Sequence, residues 1–296
     1  MKYNENNKPL VCMMTNNVCY KSTKKMKVRG VCWHDTACNN TAIKRYVQPS
    51  DDDPNKDELL KILGKNIWKN DWNHTNKQAG VNAFVGKLKD GTVSTVQTMP
   101  WDFRPWGVGK GSKGSINDGW IQFEICQDNK KHEDYAKDVY KEACEITAYL
   151  CKMFDIDPYG TEIYNGVRVP TICCHGDATR LQVGDSHIDI YDWFPTFNLT
   201  METARDDVAL LLKGAGPSPT PKPTPNQITI NQPPTIRNGS RGDTVKVWQS
   251  IIGVSVDGKF GTITEDATKE FQKQHSIEVD GIVGKNSWTC GLNDLK

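Results

Sequence analysis

Trp120-Ile121-Gln122-Phe123-Glu124-Ile125-Cys126 alternates apolar and polar side chains with a period of two. That period places Ile121, Phe123 and Ile125 on one face of a strand and Gln122 and Glu124 on the other. Upstream, Val81 to Leu88 and Thr92 to Gln97 flank Lys89-Asp90-Gly91, the signature of a hairpin turn. Downstream, Tyr135 to Phe154 follows the helical period instead. Ala136, Val139, Ala143, Ile146, Leu150 and Met153 recur three and four residues apart and form one apolar stripe. Strand, hairpin and helix interleaved in this way predict an α/β domain with a mixed central sheet flanked by helices.

The chain has 296 residues, enough for one large domain and a small one. Its formal net charge of +1 argues against nucleic acid as a general partner. The local basic cluster Lys21, Lys24, Lys25, Lys27 and Arg29 reads as a solvated loop. No stretch approaches the ~18–20 apolar residues that span a bilayer. The stretch from Met1 to Pro9 is polar and has no apolar core, so no signal peptide is expected. The 10 cysteines are accordingly read as mostly free thiols in a reducing cytosol.

A seam follows at Gly214-Ala215-Gly216-Pro217-Ser218-Pro219-Thr220-Pro221-Lys222-Pro223-Thr224-Pro225, where proline alternates with small polar residues. Such a segment forms no core and reads as an extended tether. The expected organisation is a domain over 1–213, a linker over 214–240 and a second domain over 241–296. In that second domain Val256-Asp257-Gly258-Lys259-Phe260-Gly261 recurs as Val279-Asp280-Gly281-Ile282-Val283-Gly284. A helical start with a cap follows each copy, at Thr262-Ile263-Thr264-Glu265 and at Lys285-Asn286-Ser287-Trp288. Val245, Trp248, Gln249 and Ile252 fit one helix, and Ala267, Phe271 and Gln274 fit another. The pattern predicts a small all-α, three-helix module with turns set by Asp-Gly pairs. A calcium loop would need further acidic ligands at alternating positions, and they are absent.

Histidines mark the chemistry. His34 closes the apolar run Val31-Cys32-Trp33, while His175 and His187 lie in Cys173-Cys174-His175-Gly176-Asp177 and Gly184-Asp185-Ser186-His187-Ile188-Asp189. Three imidazoles with one open position is the usual build of a catalytic zinc site, whereas four ligands close a structural one. Cys173 and Cys174 are alternative ligands, though a thiolate-rich site would suit structural zinc better. Asp177, Asp189 or backbone carbonyls are expected to orient the imidazoles. His74, His132 and His275 read as surface or structural histidines. On a strand, Glu124 would ordinarily read as a solvated edge residue, though it alternates opposite an apolar face. Trp72, Trp101 and Trp106 read as core anchors or as flat apolar platforms for sugar rings.

From Arg241-Gly242-Asp243-Thr244-Val245-Lys246-Val247-Trp248-Gln249 through both Asp-Gly copies to Trp288, the second domain resembles the peptidoglycan-binding domain of bacterial and phage wall enzymes. The first domain is similar to zinc-dependent N-acetylmuramoyl-L-alanine amidases, whose fold is shared with peptidoglycan-recognition proteins. His34-Asp35-Thr36, Pro105-Trp106-Gly107-Val108-Gly109 ahead of Asn117 and Glu124, Cys174-His175, and Asp185-Ser186-His187 with Asp192-Trp193-Phe194 carry the likeness. Clostridial phage and prophage lysins resemble this arrangement. The resemblance implies Zn²⁺ held by His34, His175 and His187, with Asp189 as a rival third ligand. It implies Glu124 as general acid–base and Thr36, Asn117 and the three tryptophans as substrate contacts. A lysine often stands two residues before the third ligand, where this chain has Asp185 if His187 is that ligand. A tyrosine of some relatives falls at about Ala83.

The implied activity is hydrolysis of the amide between N-acetylmuramic acid and L-alanine of bacterial peptidoglycan. A phage endolysin of this kind waits in the host cytoplasm and reaches the cell wall with holin assistance. The alternatives are a non-catalytic peptidoglycan-recognition protein, which typically lacks zinc ligands, and a zinc peptidase of the stem peptide.

Overall fold

In the computed structural model, which describes residues 1–214, 235–275 and 277–294, Trp120–Ile125 lies inside a six-stranded sheet. The strands are β1 (Leu10–Val11), β2 (Gly30–Asp35), β3 (Ala83–Lys87), β4 (Val93–Gln97), β5 (Trp120–Ile125) and β8 (Ile172–Cys174). Their order across the sheet is β1-β4-β3-β5-β2-β8, and β6 (Thr161–Tyr164) pairs with β7 (Val167–Pro170) as a separate ribbon. Only β3 and β4 run antiparallel, because a tight turn joins them. Gly91 adopts φ +89° in that turn, and the Leu88 amide donates to the Thr92 carbonyl at 2.9 Å. All other neighbouring strands in this sheet are parallel.

Among the described residues five α-helices complete the first unit: α1 (Val18–Ser22), α2 (Lys56–Leu63), α3 (Glu133–Phe154), α4 (His175–Arg180) and α5 (Met201–Leu212). Ile121, Phe123 and Ile125 share one core with Val31 and Trp33 of β2 and with Ala136, Val139, Ala143, Ile146 and Leu150 of α3. The Trp33 indole donates to Thr147 Oγ1 at 3.0 Å, so the polar edge of the ring is satisfied inside that core. The stripe expected on α3 is too narrow and one residue too long. Tyr140, Cys144, Tyr149 and Cys151 are buried as well, because α5 packs on the helix from another side, while Met153 near its end is 45% exposed.

The polar face of β5 also departs from the simple alternation. Gln122 and Glu124 are buried, as are all six residues of the strand. Loops together with α2, α4 and the β6–β7 ribbon cover this second face of the sheet, so a polar residue here must find a partner inside the protein. Among the described residues all ten cysteines are free thiols, and no helix is long and apolar enough to cross a membrane.

The chain divides into two compact units, Met1–Ser218 and Pro219–Lys296. Of the expected linker, residues 215–234 lie outside those described. Packed structure in the second unit begins with Ile236, which is buried and bridges Val283. Three helices follow: α6 (Asp243–Ile251), α7 (Thr262–Gln274) and α8 (Lys285–Asp294). Ile236, Val245, Trp248, Phe260, Phe271, Val283 and Trp288 make the core. The inward face of α7 is offset from the expected Ala267, Phe271 and Gln274. Phe271 is buried as expected, but Thr264, Thr268 and Gln272 are buried with it, while Gln274 is exposed. The helix begins without a side-chain cap at Gly261.

Hydrogen bonding explains the buried polar face. Thr268 Oγ1 accepts the Trp248 indole N–H at 2.9 Å. Gln249 Oε1 accepts the Gly258 amide at 2.8 Å, and its Nε2 lies 2.8 Å from Asp257 Oδ1, 3.1 Å from the Lys259 carbonyl and 3.2 Å from Thr264 Oγ1. Gln272 repeats the arrangement on the second turn, with Gly281, Asp280, Ile282 and Ser287 as partners. Each sequence repeat is thus an Asp-Gly turn latched by one glutamine from the preceding helix. Replacing Gln272 by Ala leaves the buried Gly281 amide without its acceptor, at a cost of about 1–3 kcal/mol. Faster hydrogen exchange at Gly281 in the full chain is the expected readout; an unchanged rate would show that the latch contributes no stability.

Candidate metal and catalytic site

Three adjacent parallel strands, β5, β2 and β8, bring their carboxyl ends to one place, where open α/β sheets generally bind ligands. His34 is the penultimate residue of β2 and stands in register opposite Glu124 of β5. His175 follows β8 directly as the first residue of α4. Parallel pairing therefore puts His34 in the middle, with Glu124 on one side and His175 on the other.

Asp189 arrives from the loop after α4. Its Oδ2 lies 3.4 Å from His34 Nδ1 and 3.4 Å from His175 Nδ1. The loop holds this position because the Gly176 amide donates to the Asp189 carbonyl at 3.0 Å. A Cβ at Gly176 would lie 2.4 Å from the Tyr191 ring, so only glycine lets the loop pack directly on α4.

The opposite nitrogen of each imidazole has its own acceptor. His34 Nε2 is 3.1 Å from Gln122 Oε1, and His175 Nε2 is 2.8 Å from Asp185 Oδ1. Both acceptors can take an Nε2 proton, the tautomer that frees each Nδ1 to serve as a ligand atom. Gln122 is itself locked: its Nε2 donates to Asn117 Oδ1 at 2.8 Å, and its Oε1 also accepts the Val108 amide at 3.0 Å. A Cβ at Gly107 would lie 2.4 Å from Gln122 Oε1 and 3.4 Å from His34 Nε2, so the covering loop needs glycine there.

Electrostatics match the geometry. Burial lowers the pKa of His34, which favours a neutral ring. Burial pulls His175 the same way, but Asp189 and Asp185 outweigh it and its pKa is raised. Burial pushes Glu124 well above the usual carboxylate range, and Asp189 and Asp35 add to the effect. Glu124 Oε2 is buried with no hydrogen-bond partner among the described residues. Asp35 lies beside it in the chemistry: burial pushes its carboxyl up to about 7, although Oδ1 accepts the Ala37 amide at 2.9 Å and Gln127 Nε2 at 2.7 Å.

The donor set fits a divalent metal. Donor atoms 2.0–2.2 Å from a tetrahedral ion lie about 3.4 Å apart, close to the spacing of Asp189 from each imidazole. His34, His175 and Asp189 offer one ligand atom each, all within 4.8 Å of one another. Carboxamide and carboxylate acceptors on the far nitrogens are the usual outer support of metal-bound imidazole. The orphaned Glu124 oxygen supplies an acceptor facing the same space.

Residues 24–189 match the family model described as N-acetylmuramoyl-L-alanine amidase, and residues 248–290 match that of a putative peptidoglycan binding domain. The chain belongs to the N-acetylmuramoyl-L-alanine amidase family. It is a peptidoglycan amidase with a C-terminal wall-binding domain. Among solved structures, it is similar to the Staphylococcus aureus hydrolase AmiA in complex with its ligand, at 18% identity, with 73% of this chain and 85% of that chain covered and a TM-score of 0.42. A mutant endolysin from Bacillus subtilis matches at 14% identity over 63% of this chain and 95% of that one, with a TM-score of 0.37. A fused Zn-dependent amidase/peptidase/peptidoglycan-binding domain-containing protein from Clostridium acetobutylicum matches at 32% identity over 19% and 28%, with a TM-score of 0.19.

Several expectations for the amidase site change. His187 is not grouped with His34; Asp189 is the residue that approaches both His34 and His175, and His187 stacks on His175 with ring centroids 4.4 Å apart. The chain reaches Asp189 only after the loop turns back across α4, which leaves His187 53% exposed. Asp177 orients neither imidazole, because it caps α4 through the Cys174 amide and accepts Tyr191 and Arg180. Gln122 and Asp185 do that work instead. Asn117 is buried with its amide spent on Val108 and Gln122, so it positions Gln122 and is closed to substrate. Thr36 accepts the Gln127 amide and the Tyr46 hydroxyl, both at 3.1 Å, and so braces the loop. Cys173 and Cys174 are buried, and neither belongs to a metal-competent group among the described residues.

The tryptophans separate as well. Trp101 is a core residue at 8% exposure. Trp72 is half-buried, edge-on to Phe84 and covered by Lys77, whose Nζ is 4.9 Å from the ring. Trp106, next to Gly107, is 47% exposed. Gln122→Leu removes the His34 partner while keeping an apolar side chain of similar size. Amidase activity on purified wall is expected to fall by about 10–100-fold; full activity would show that the His34 ring needs no such partner.

Proposed function

We propose that His34, His175 and Asp189 bind zinc and that Glu124 carries the proton in cleavage of the lactyl–L-alanine amide. The observation that carries this reading is the pair of Nδ1 atoms facing Asp189 Oδ2 at 3.4 Å, each ring held from behind by its own acceptor. Zinc in this position supplies Lewis acidity for the amide carbonyl and brings the pKa of water from 15.7 towards ~7. Glu124 accepts the proton of the attacking water and delivers it to the departing amine of L-alanine, the two halves of general acid–base catalysis. Its burial favours holding that proton between the two steps. Gln122 and Asp185 keep the imidazoles in the tautomer with a free Nδ1. Trp106 offers an exposed ring beside the site for a sugar face. With Asp189 as third ligand, the residue two positions earlier is His187 rather than Asp185, so the side chain at the family's lysine position is an imidazole.

The wall-binding domain raises the local concentration of the catalytic domain on an insoluble polymer. A tethered second contact of this kind increases avidity by ~10²–10⁴. In keeping with the resemblance to clostridial phage and prophage lysins, the chain acts at the end of a phage cycle: it accumulates in the host cytoplasm and reaches the wall through a holin-opened membrane. A non-catalytic recognition role is disfavoured because a complete ligand set and a buried acid–base face one another.

The test is digestion of purified wall with and without chelator, with new ends identified by mass spectrometry. Free L-alanine amines with intact muramic acid, lost on chelation and restored by zinc, are expected. Ends elsewhere in the stem peptide would replace the amidase assignment by a peptidase. Glu124→Gln should lower the rate by ~10²–10⁴ with zinc content unchanged. His34→Ala and Asp189→Asn should lose zinc, whereas His187→Ala should retain one equivalent; loss of that equivalent would return the third position to His187.

A further inference from the structure

Outside the inner triad, His175, Asp185 and His187 form a second group whose ligand atoms all lie within 4.8 Å of one another. Asp185 Oδ1 is 2.8 Å from His175 Nε2 and 3.3 Å from His187 Nδ1. The two imidazoles stack at 4.4 Å with an interplanar angle of 28°. We propose that this outer group is a second divalent-cation site, on the solvent side of the catalytic centre, whose occupation inhibits the enzyme. The proposal rests on the inner site being the catalytic zinc site.

The outer site is built before any ion arrives. Asp185 Oδ1 accepts the Gly109 amide at 2.9 Å, which fixes the carboxylate against the covering loop. The Thr179 hydroxyl lies 2.5 Å from the Asp185 carbonyl and 2.9 Å from the His187 carbonyl, and it accepts the His187 amide at 3.1 Å. One side chain of α4 therefore clamps both ends of the Asp185-Ser186-His187 segment. Pre-placed ligands lower the ordering cost of binding. Two imidazoles and a carboxylate select zinc, copper or nickel over magnesium and calcium, which prefer oxygen donors.

His175 couples the two sites through opposite nitrogens. As an inner ligand through Nδ1 it keeps its Nε2 proton, which it donates to Asp185. An outer ion held by Asp185 and His187 would compete for the carboxylate oxygen that accepts the ring proton. Binding by all three donors releases the Nε2 proton to solvent and leaves His175 bridging two cations. Either arrangement removes the acceptor that orients an inner ligand, and loss of such support costs about 10–100-fold in activity. Exposure decides which ion obstructs substrate: His187 is 53% and Asp185 44% exposed, against 2% for His34 and His175.

Full-length protein stripped with chelator and titrated with zinc chloride tests this, followed by native mass spectrometry and by release of wall fragments. Two successive equivalents are expected, with activity rising on the first and falling by about tenfold or more on the second. His187→Ala and His187→Gln should each stop at one equivalent and lose the high-zinc inhibition, expressed against each variant's own maximum. Magnesium chloride should reproduce neither stage. Saturation of the wild type at one equivalent would overturn the outer site, as would equal inhibition of wild type and both His187 variants. Failure to bind even one equivalent would instead refute the inner-site reading.

Discussion

Two buried imidazoles turning the same nitrogen towards one carboxylate oxygen is the constraint on which this molecule is organised. Such an arrangement is costly unless every other polar atom of the rings is satisfied and the three groups meet a cation. The first condition accounts for Gln122, Asn117, Asp185 and the close-packed glycines at 107 and 176. Beside them stands Glu124, a buried carboxyl with one oxygen lacking a partner among the described residues. A solvated site would need none of these supports. The burial that makes the site demanding to assemble also strengthens its electrostatics, because charge is screened less inside than at the surface.

The sheet provides the placement. Parallel pairing of β5, β2 and β8 delivers Glu124, His34 and His175 side by side at one edge, so three elements far apart in sequence contribute without long excursions. Behind that edge the opposite faces of the same strands build the apolar core against α3, centred on Trp33 and Phe123. The candidate site and the core are therefore built from alternate residues of the same strands. The second unit solves a different problem, stability at small size. It combines a few large apolar side chains with two glutamine latches that convert Asp-Gly turns into fixed structure. A small core benefits from such local supports because it buries little apolar surface.

Much of this was legible in the sequence. The alternation of Trp120 to Ile125, the Lys89-Asp90-Gly91 turn and the period of α3 come from local geometry, and each appears where its residues require. His34 and His175 stood out because each closes an apolar run, and Glu124 because it lies on the polar face of an alternating strand that matches the family's pattern. Gln122 carried a weaker signal: it shares the Glu124 face two residues earlier, but an amide in a strand suggests no chemistry alone. The width of the buried surface on α3 was hidden because α5, a distant segment, covers its other side. The inward face of α7 was misread for a related reason: Thr264, Thr268 and Gln272 look polar in sequence and are buried only because Trp248 and the next turn give them partners.

The amino-acid sequence by itself determined the strand and helix periods, the two-module organisation with its internal repeat, and the residue types able to bind a metal and move a proton. Only the tertiary structure decided which of them meet. Asp185, His187 and Asp189 lie within five residues and differ little as ligands on paper. The fold of their loop across α4 sends Asp189 inward to both Nδ1 atoms, sets Asp185 behind His175, and leaves His187 outside. Ligand identity depends on direction as well as on chemistry, and direction is set by packing between segments that the local sequence does not encode.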